Sequence, residues 1–452
     1  MYTILQQVSD SGRRTIRQID FIRSRQGAGF HVLTLMSGAA AAQLLTIVAA
    51  PILTRIYTPT DFGIFAIYAT VLLISAPLVS GRYELAIVPA KDEDEAFGLL
   101  VLSCLIAAAM GVSVGVLLRL RTLTSITWIS SLTPYFWIIP PSIALNGSFQ
   151  ALRQFCIRQR RYRALSVSQL VQSGSSAGGQ AAAGVLLSAG ATGLLIGQFG
   201  GLAASVFSLR RGLVTGFRSW YSRHRDHPAR TLWRLAISHR RHPAYLPWGG
   251  LVDVLATRLP LLVLPTFYGA TFLGLYAIAD RLVKTPLLLV GQASAQVMFQ
   301  KMTEKNVKAR MPQVLLTWGI LATLVCLVPF VLLAYFAPLI FTFALGKAWA
   351  SAGPISVALI PVYWGALVVS PVSTLLLVAN RQDLILAIEV LSLVCGYAAL
   401  WAGHLLLANG TQTVLLYSLS QLFTYVIYFA MLFVISKSMA ETSQAEVSTC
   451  AE

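Results

Sequence analysis

Charge is scarce in this chain. Only 11% of its 452 residues are Asp, Glu, Lys or Arg, against about 25% in a soluble globular protein. So little charge cannot cover a water-facing surface of this size, which excludes an ordinary soluble fold. Acids are the rarer sign, 17 against 34 Lys and Arg. The cysteines (Cys104, Cys156, Cys326, Cys395, Cys450) are scattered and lack CxxC spacing, so neither a disulfide framework nor a cysteine metal site is expected. GxxxxGK[ST] and HExxH are also missing, which removes a phosphate loop and a zinc-protease helix. The chain does not read as an enzyme, and no cofactor is expected beyond a possible coupling ion, Na⁺ or H⁺.

What is present is apolar sequence: 56% hydrophobic residues and a mean hydropathy of +0.70. A spanning helix needs about 20 such residues. Twelve runs qualify, at 30–55, 62–83, 96–118, 127–150, 164–187, 191–209, 246–268, 271–299, 314–337, 352–378, 384–406 and 413–436. The fold class expected is an all-α polytopic membrane protein, with about 12 transmembrane helices in two six-helix lobes around a central cavity. A basic segment, 1–29, precedes the first run, which is too long for the apolar core of a signal peptide and reads as a retained helix. The N-lobe then covers 30–209, a basic connector 210–245, the C-lobe 246–436, and a polar tail, 437–452, is expected to be disordered.

The positive charge tests this map. With the N-terminus inside, 27 Lys and Arg fall in inner segments and four (Arg55, Arg119, Arg121, Lys347) in outer ones, with Arg258, Arg281 and Lys284 inside helices. One miscounted helix would destroy that asymmetry, so both termini are expected to be cytoplasmic. The net charge of +17 is thereby explained by topology, without nucleic acid as a partner. The outer loops are too short for a folded external domain, which argues against a glycosyltransferase or polymerase.

The connector, RRGLVTGFRSWYSRHRDHPARTLWRLAISHRRHPAY, holds nine arginines and one acid, Asp226. It is expected to be a cytoplasmic hinge with a short amphipathic helix at the membrane surface, anchored by Trp220 and Trp233 against anionic lipid. The acidic run Asp92 to Glu95 is expected as a solvated start to the third helix, where negative charge suits the helix N-terminus.

Ionisable residues inside a membrane are costly and therefore candidates for function. Arg55 closes the first run, and it either anchors at the interface, pairs with Asp61 or contacts a substrate. Arg82 and Glu84 end the second. Asp253 and Arg258 lie in the seventh. In the eighth, Arg281 and Lys284 share a face and Asp280 stands four residues from Lys284. One carboxylate cannot neutralise two adjacent cations, so an anionic ligand in a cavity is the simplest partner, with an ion-pair network through Asp253 as the alternative. Glu389 in the eleventh run is an ion-binding or ion-pair candidate, as are Glu84, Asp253 and Asp280.

Two stretches resemble a known family. The run LTRIYTPTDFGIFAIYATVLLISAPLVSGRYELAIVPAKDEDEAFGL (53–99) is similar to the start of bacterial Wzx-type oligosaccharide flippases, within the multidrug/oligosaccharidyl-lipid/polysaccharide exporter superfamily. The run RRHPAYLPWGGLVDVLATRLPLLVLPTFYGATFLGLYAIADRLVKTPLLLVGQASAQVMFQK (240–301) is similar to the start of the second lobe in the same family. The resemblance implies a flippase of the bacterial inner membrane, moving undecaprenyl-diphosphate-linked oligosaccharide for surface polysaccharide such as lipopolysaccharide or exopolysaccharide. It implies substrate contact by Arg55, Arg82, Arg281 and Lys284, with Arg258 and Asp253 on looser matches. Membrane lipids and a polysaccharide polymerase or export machinery are the partners it implies. The alternative is a multidrug antiporter of the same fold, which would favour an acidic, aromatic cavity for organic cations.

Overall fold

The computed structural model describes residues 37–119, 130–210, 213–303, 310–379, 381–407 and 409–449, and among them every regular element is helical. The basic segment 1–29 and the first residues of the first expected helix lie outside this set. Helix α1 (Ser37–Ile56) is followed by α2 (Pro59–Ser75), α3 (Glu93–Leu117), α4 (Ile139–Arg158), α5 (Tyr162–Leu187) and α6 (Ala191–Ser208). Two short helices, α7 (Leu213–Arg223) and α8 (Pro228–Ser238), lead to the long α9 (Arg241–Thr303). Gly269, at φ 77°, breaks α9 into two arms, 241–268 and 270–303; only glycine takes that conformation freely. The rest are α10 (Met311–Leu345), α11 (Ala352–Ala358), α12 (Ile360–Val369), α13 (Thr374–Val378), α14 (Gln382–Leu407) and α15 (Gly410–Thr449). Among the described residues, seven helices are long and apolar enough to cross a membrane, eight with the bent span over α11–α13; with the arms of α9 counted separately and α7 and α8 set aside, the helices form two sets of six.

The apolar side chains divide between an interior and a lipid-facing belt. One buried cluster joins both halves through Tyr57, Phe62, Tyr68, Leu264, Tyr276 and Trp349. On α10, Val325, Val328 and Phe343 stay exposed, Phe343 by 85%. In water that would be an aggregation liability; in a bilayer it is what the solvent favours.

Several expected boundaries move, each for a local reason. Helix α2 ends at Ser75, short of 83, because Pro77 cannot continue it and Gly81 and Arg82 take positive φ. The chain finishes that crossing in turns and a 3₁₀ turn, Tyr83–Ala86. The fourth helix lies later than 127–150: Pro140 and Pro141 suit its first turn, and its polar second half is invisible to a hydropathy count. The tenth span is bent by 48° between Lys347–Ala358 and Ile360–Leu376, with Pro361 at the break. The tail expected to be disordered is helical to Thr449. Once nucleated, a helix extends cheaply through Ala, Glu and Gln.

The connector departs from expectation in part. The short helix expected in it is α8, but together with α7 it is docked on α3 and is not a free hinge. Trp220 is not an interfacial anchor: it is only 2% exposed, inside a cluster with Phe97, Phe155 and Leu209, while Trp233 is exposed as expected. Gly98 permits this contact, since a Cβ there would meet Leu235 Cδ1 at 2.5 Å. Nor is the acidic run merely solvated. Asp94 pairs with Arg223 at 3.1 Å and with His224 at 3.2 Å, Glu95 faces His239 at 3.7 Å, and Asp92 caps α3. Trp220→Ala should therefore destabilise the protein by about 3 kcal/mol or more, as for a buried aromatic, read as a lowered midpoint in detergent thermal unfolding. An unchanged midpoint would mean that the docking is incidental.

Candidate functional site: a cationic cavity between the two halves

At the end of the bundle opposite the connector, the two halves meet through glycine. Gly63 of α2 lies against the Ala270 carbonyl, and Gly274 of α9 lies against that of Pro59, so close that an added Cβ would stand 1.8 and 1.7 Å from those oxygens. Thr60 and Thr271 share a hydroxyl hydrogen bond of 2.8 Å. Trp349 donates its indole N–H to the Thr54 carbonyl at 2.9 Å and stands edge-on to Phe62. The approach is sealed there by backbone on backbone.

Below this seal lies a cavity of about 300 Å³ between α2 and both arms of α9. Phe65, Ala69 and Thr70 form one wall; Arg258, Asp280, Arg281 and Lys284 supply the charge. Arg281 and Lys284 lie one turn apart on the second arm, and Arg258 comes from the first. Among the described residues Asp280 is the sole carboxylate lining this cavity, and it makes no salt-bridge contact with Lys284, contrary to what the spacing suggests. Its carboxylate accepts a hydrogen bond from the Tyr363 hydroxyl of α12 instead. None of the three cations forms an ion pair among the described residues. Three cations thus face one carboxylate that is already engaged. Tyr363, 83 residues away from Asp280, carried no signal in the sequence beyond its place in an apolar run.

The other candidates stand apart. Arg82, in a left-handed conformation at φ 59°, lies at the connector end, 4.0 Å from Glu84. Its guanidinium covers Gly250 of α9, where a Cβ would come within 2.1 Å, so it bridges the halves and lies outside the cavity lining. Glu84 is buried and receives the Ser80 hydroxyl. Asp253 is exposed, within electrostatic reach of Arg82, Arg258 and Lys284, and Glu389 of α14 lies within reach of Asp253. Arg55 is exposed at the opposite end and lines no part of the cavity. It does not pair with Asp61, which instead closes a capping box with Thr58.

A family model described as polysaccharide biosynthesis protein matches residues 52–354. The chain belongs to that family. The matched span contains the seal, the cavity lining and the connector, while Tyr363 and Glu389 lie beyond it. Comparison with curated proteins finds no match. Among solved structures, the chain is similar to the inward-facing conformation of a multidrug resistance MATE family transporter of the MOP superfamily. The TM-score is 0.69 at 13% identity, over 89% of this chain and 96% of that one. It is similar to the lipid II flippase MurJ in an inward closed conformation, with a TM-score of 0.65 at 13% identity over 91% of each chain. An outward-facing MATE family transporter gives 0.53 at 11% identity, over 91% of this chain and 95% of that one. At such identities the likeness is one of fold. The chain shares its fold with these transporters and this flippase.

Proposed function

We propose that this protein flips an undecaprenyl-diphosphate-linked oligosaccharide from the cytoplasmic to the periplasmic leaflet of the bacterial inner membrane, for surface polysaccharide assembly. The observation that carries the reading is the cavity with Arg258, Arg281 and Lys284 against a single, engaged Asp280. Half-buried cations that outnumber the carboxylates near them are costly in a membrane. A diphosphate supplies the missing negative charge, and guanidinium–phosphate hydrogen bonds are charge-assisted and forked. The family's description and the likeness to a lipid II flippase support the same reading.

The connector end is cytoplasmic in this proposal, as the 27-to-4 charge asymmetry requires. Substrate enters there, past Arg82. The glycine-sealed end then opens to the periplasm as the lobes rock. With no nucleotide motif in the sequence, an Na⁺ or H⁺ gradient drives the cycle, and Asp253 and Glu389 are the carboxylates placed to sense it. The drug-antiporter alternative, suggested by the MATE neighbours, meets the wrong sign of charge, because organic cations are repelled by this lining.

The test is depletion of the protein in its host, followed by mass spectrometry of the lipid fraction. Lipid-diphosphate-linked glycan should accumulate while surface polysaccharide falls and drug susceptibility stays unchanged. Normal polysaccharide with no accumulating glycolipid would refute the proposal.

A further inference from the structure

Beside the cationic cavity lies a second one, of about 180 Å³, between α1, α5 and α6. Its lining is unusual for a membrane interior: Gln172, Ser173, Ser176 and Gln180 from α5 and Gln198 from α6, with Arg281 of the other half reaching into it. Arg281 lines both cavities. Part of this polar wall has a structural purpose. Gln180 donates to the Leu194 carbonyl at 3.1 Å and its own carbonyl receives the Tyr57 hydroxyl at 2.6 Å, which ties α5 to α6 and α1.

Gln198 and Gln172 are different. The Ser176 hydroxyl donates to Gln198 Oε1 at 2.8 Å, which occupies the amide's acceptor and leaves its NH₂ donors without a bond to another described side chain. The Gln172 amide bonds no other described side chain, and neither glutamine is fully buried. Neutral amides and hydroxyls at membrane depth cost free energy unless they meet a partner. Carboxamides offer both donors and acceptors, which matches a polyol far better than a phosphate or an acyl chain.

We infer that this wall binds the sugar next to the diphosphate, so that the N-lobe reads the glycan while the C-lobe holds the charge. The inference rests on the function proposed above and adds to it the location of glycan recognition. The chemistry of the substrate enforces the adjacency. In a lipid-diphosphate glycan the first sugar is joined directly to phosphate, so a diphosphate on Arg281 places that sugar within reach of a neighbouring wall. Because the two sites stand on different halves, the whole substrate bridges the lobes, and a bare diphosphate engages chiefly one of them.

The test uses the purified full-length protein and native mass spectrometry with two probes: undecaprenyl diphosphate, and the glycolipid extracted from depleted cells. The wild type should prefer the glycolipid by about tenfold, the yield of a few neutral hydrogen bonds. Gln172→Leu/Gln198→Leu should lose that preference and keep the wild-type affinity for the bare diphosphate. Gln172→Leu alone, which breaks no bond to another described side chain, should lose part of the preference and guards against misfolding of the double variant. An undiminished preference in these variants, or none in the wild type, overturns the inference. Wild-type protein that binds neither probe refutes the proposed function itself. If it binds only the glycolipid, and the variants lose it, the wall stands and the diphosphate grip falls.

Discussion

Arg281→Ala/Lys284→Ala is expected to abolish surface polysaccharide export while leaving the protein folded and in the membrane. The two side chains sit one turn apart, line the same cavity, and form no ion pair among the described residues. After their removal Asp280 keeps the hydrogen bond from the Tyr363 hydroxyl, and Arg258 remains in the same cavity as a positive charge. Stability should therefore change little. Each lost contact with a desolvated phosphate costs about 2 kcal/mol or more, so affinity for undecaprenyl diphosphate should fall by a factor on the order of a thousand. Native mass spectrometry of the variant measures the fall directly, and immunoblotting of membranes checks the amount of protein. Retained affinity in a well-expressed variant would make these cations structural. Single substitutions should give intermediate losses, since Arg258 and the remaining cation still face the ligand.

The second large effect is conformational. Gly274→Ala should prevent the halves from closing at the end opposite the connector. The new methyl would lie 1.7 Å from the Pro59 carbonyl oxygen, and Gly63 offers no slack, being equally tight on Ala270. The obstacle is backbone, which cannot rotate aside as a side chain can. Overpacking of a tight contact costs about 1–3 kcal/mol, and more when the backbone must move. An equilibrium shift of tenfold or more toward the open arrangement is expected. Disulfide cross-linking of Thr60→Cys to Thr271→Cys reports it, because the two side chains lie within 2.8 Å of each other when the seal is made. Equal cross-linking yields with and without Gly274→Ala would show that the glycine contact does not control the seal.

The sequence made the helix pattern visible because a bilayer imposes length and charge placement on each span separately, and both can be counted along the chain. It likewise exposed Arg258, Arg281 and Lys284, since a cation deep in an apolar run is anomalous without any knowledge of its neighbours. Arg55 and Arg82 show where such reading ends. Both are arginines near helix ends, one of them exposed and the other clamped between halves, and hydropathy treats them alike. The engagement of Asp280 was hidden for another reason. Local spacing favours Lys284, while the partner that wins comes from a helix 83 residues away. Trp220 and the amide wall were obscured by their surroundings, a tryptophan in a basic stretch and glutamines in a helix rich in serine and glycine, neither of which announces what it faces.

The docking of α7 and α8 changes the mechanics of the joint between the lobes. Trp220, Arg223, His224 and His239 fasten these helices to α3, so they move with the first half. Helix α8 ends at Ser238 and α9 begins at Arg241, which leaves only His239 and Arg240 between a body tied to one lobe and the first helix of the other. A coupling that short has almost no slack. In the rocking cycle proposed above, it would work as a crank, passing torque from one lobe into the arm of α9 that carries Arg258 and so to the charged cavity.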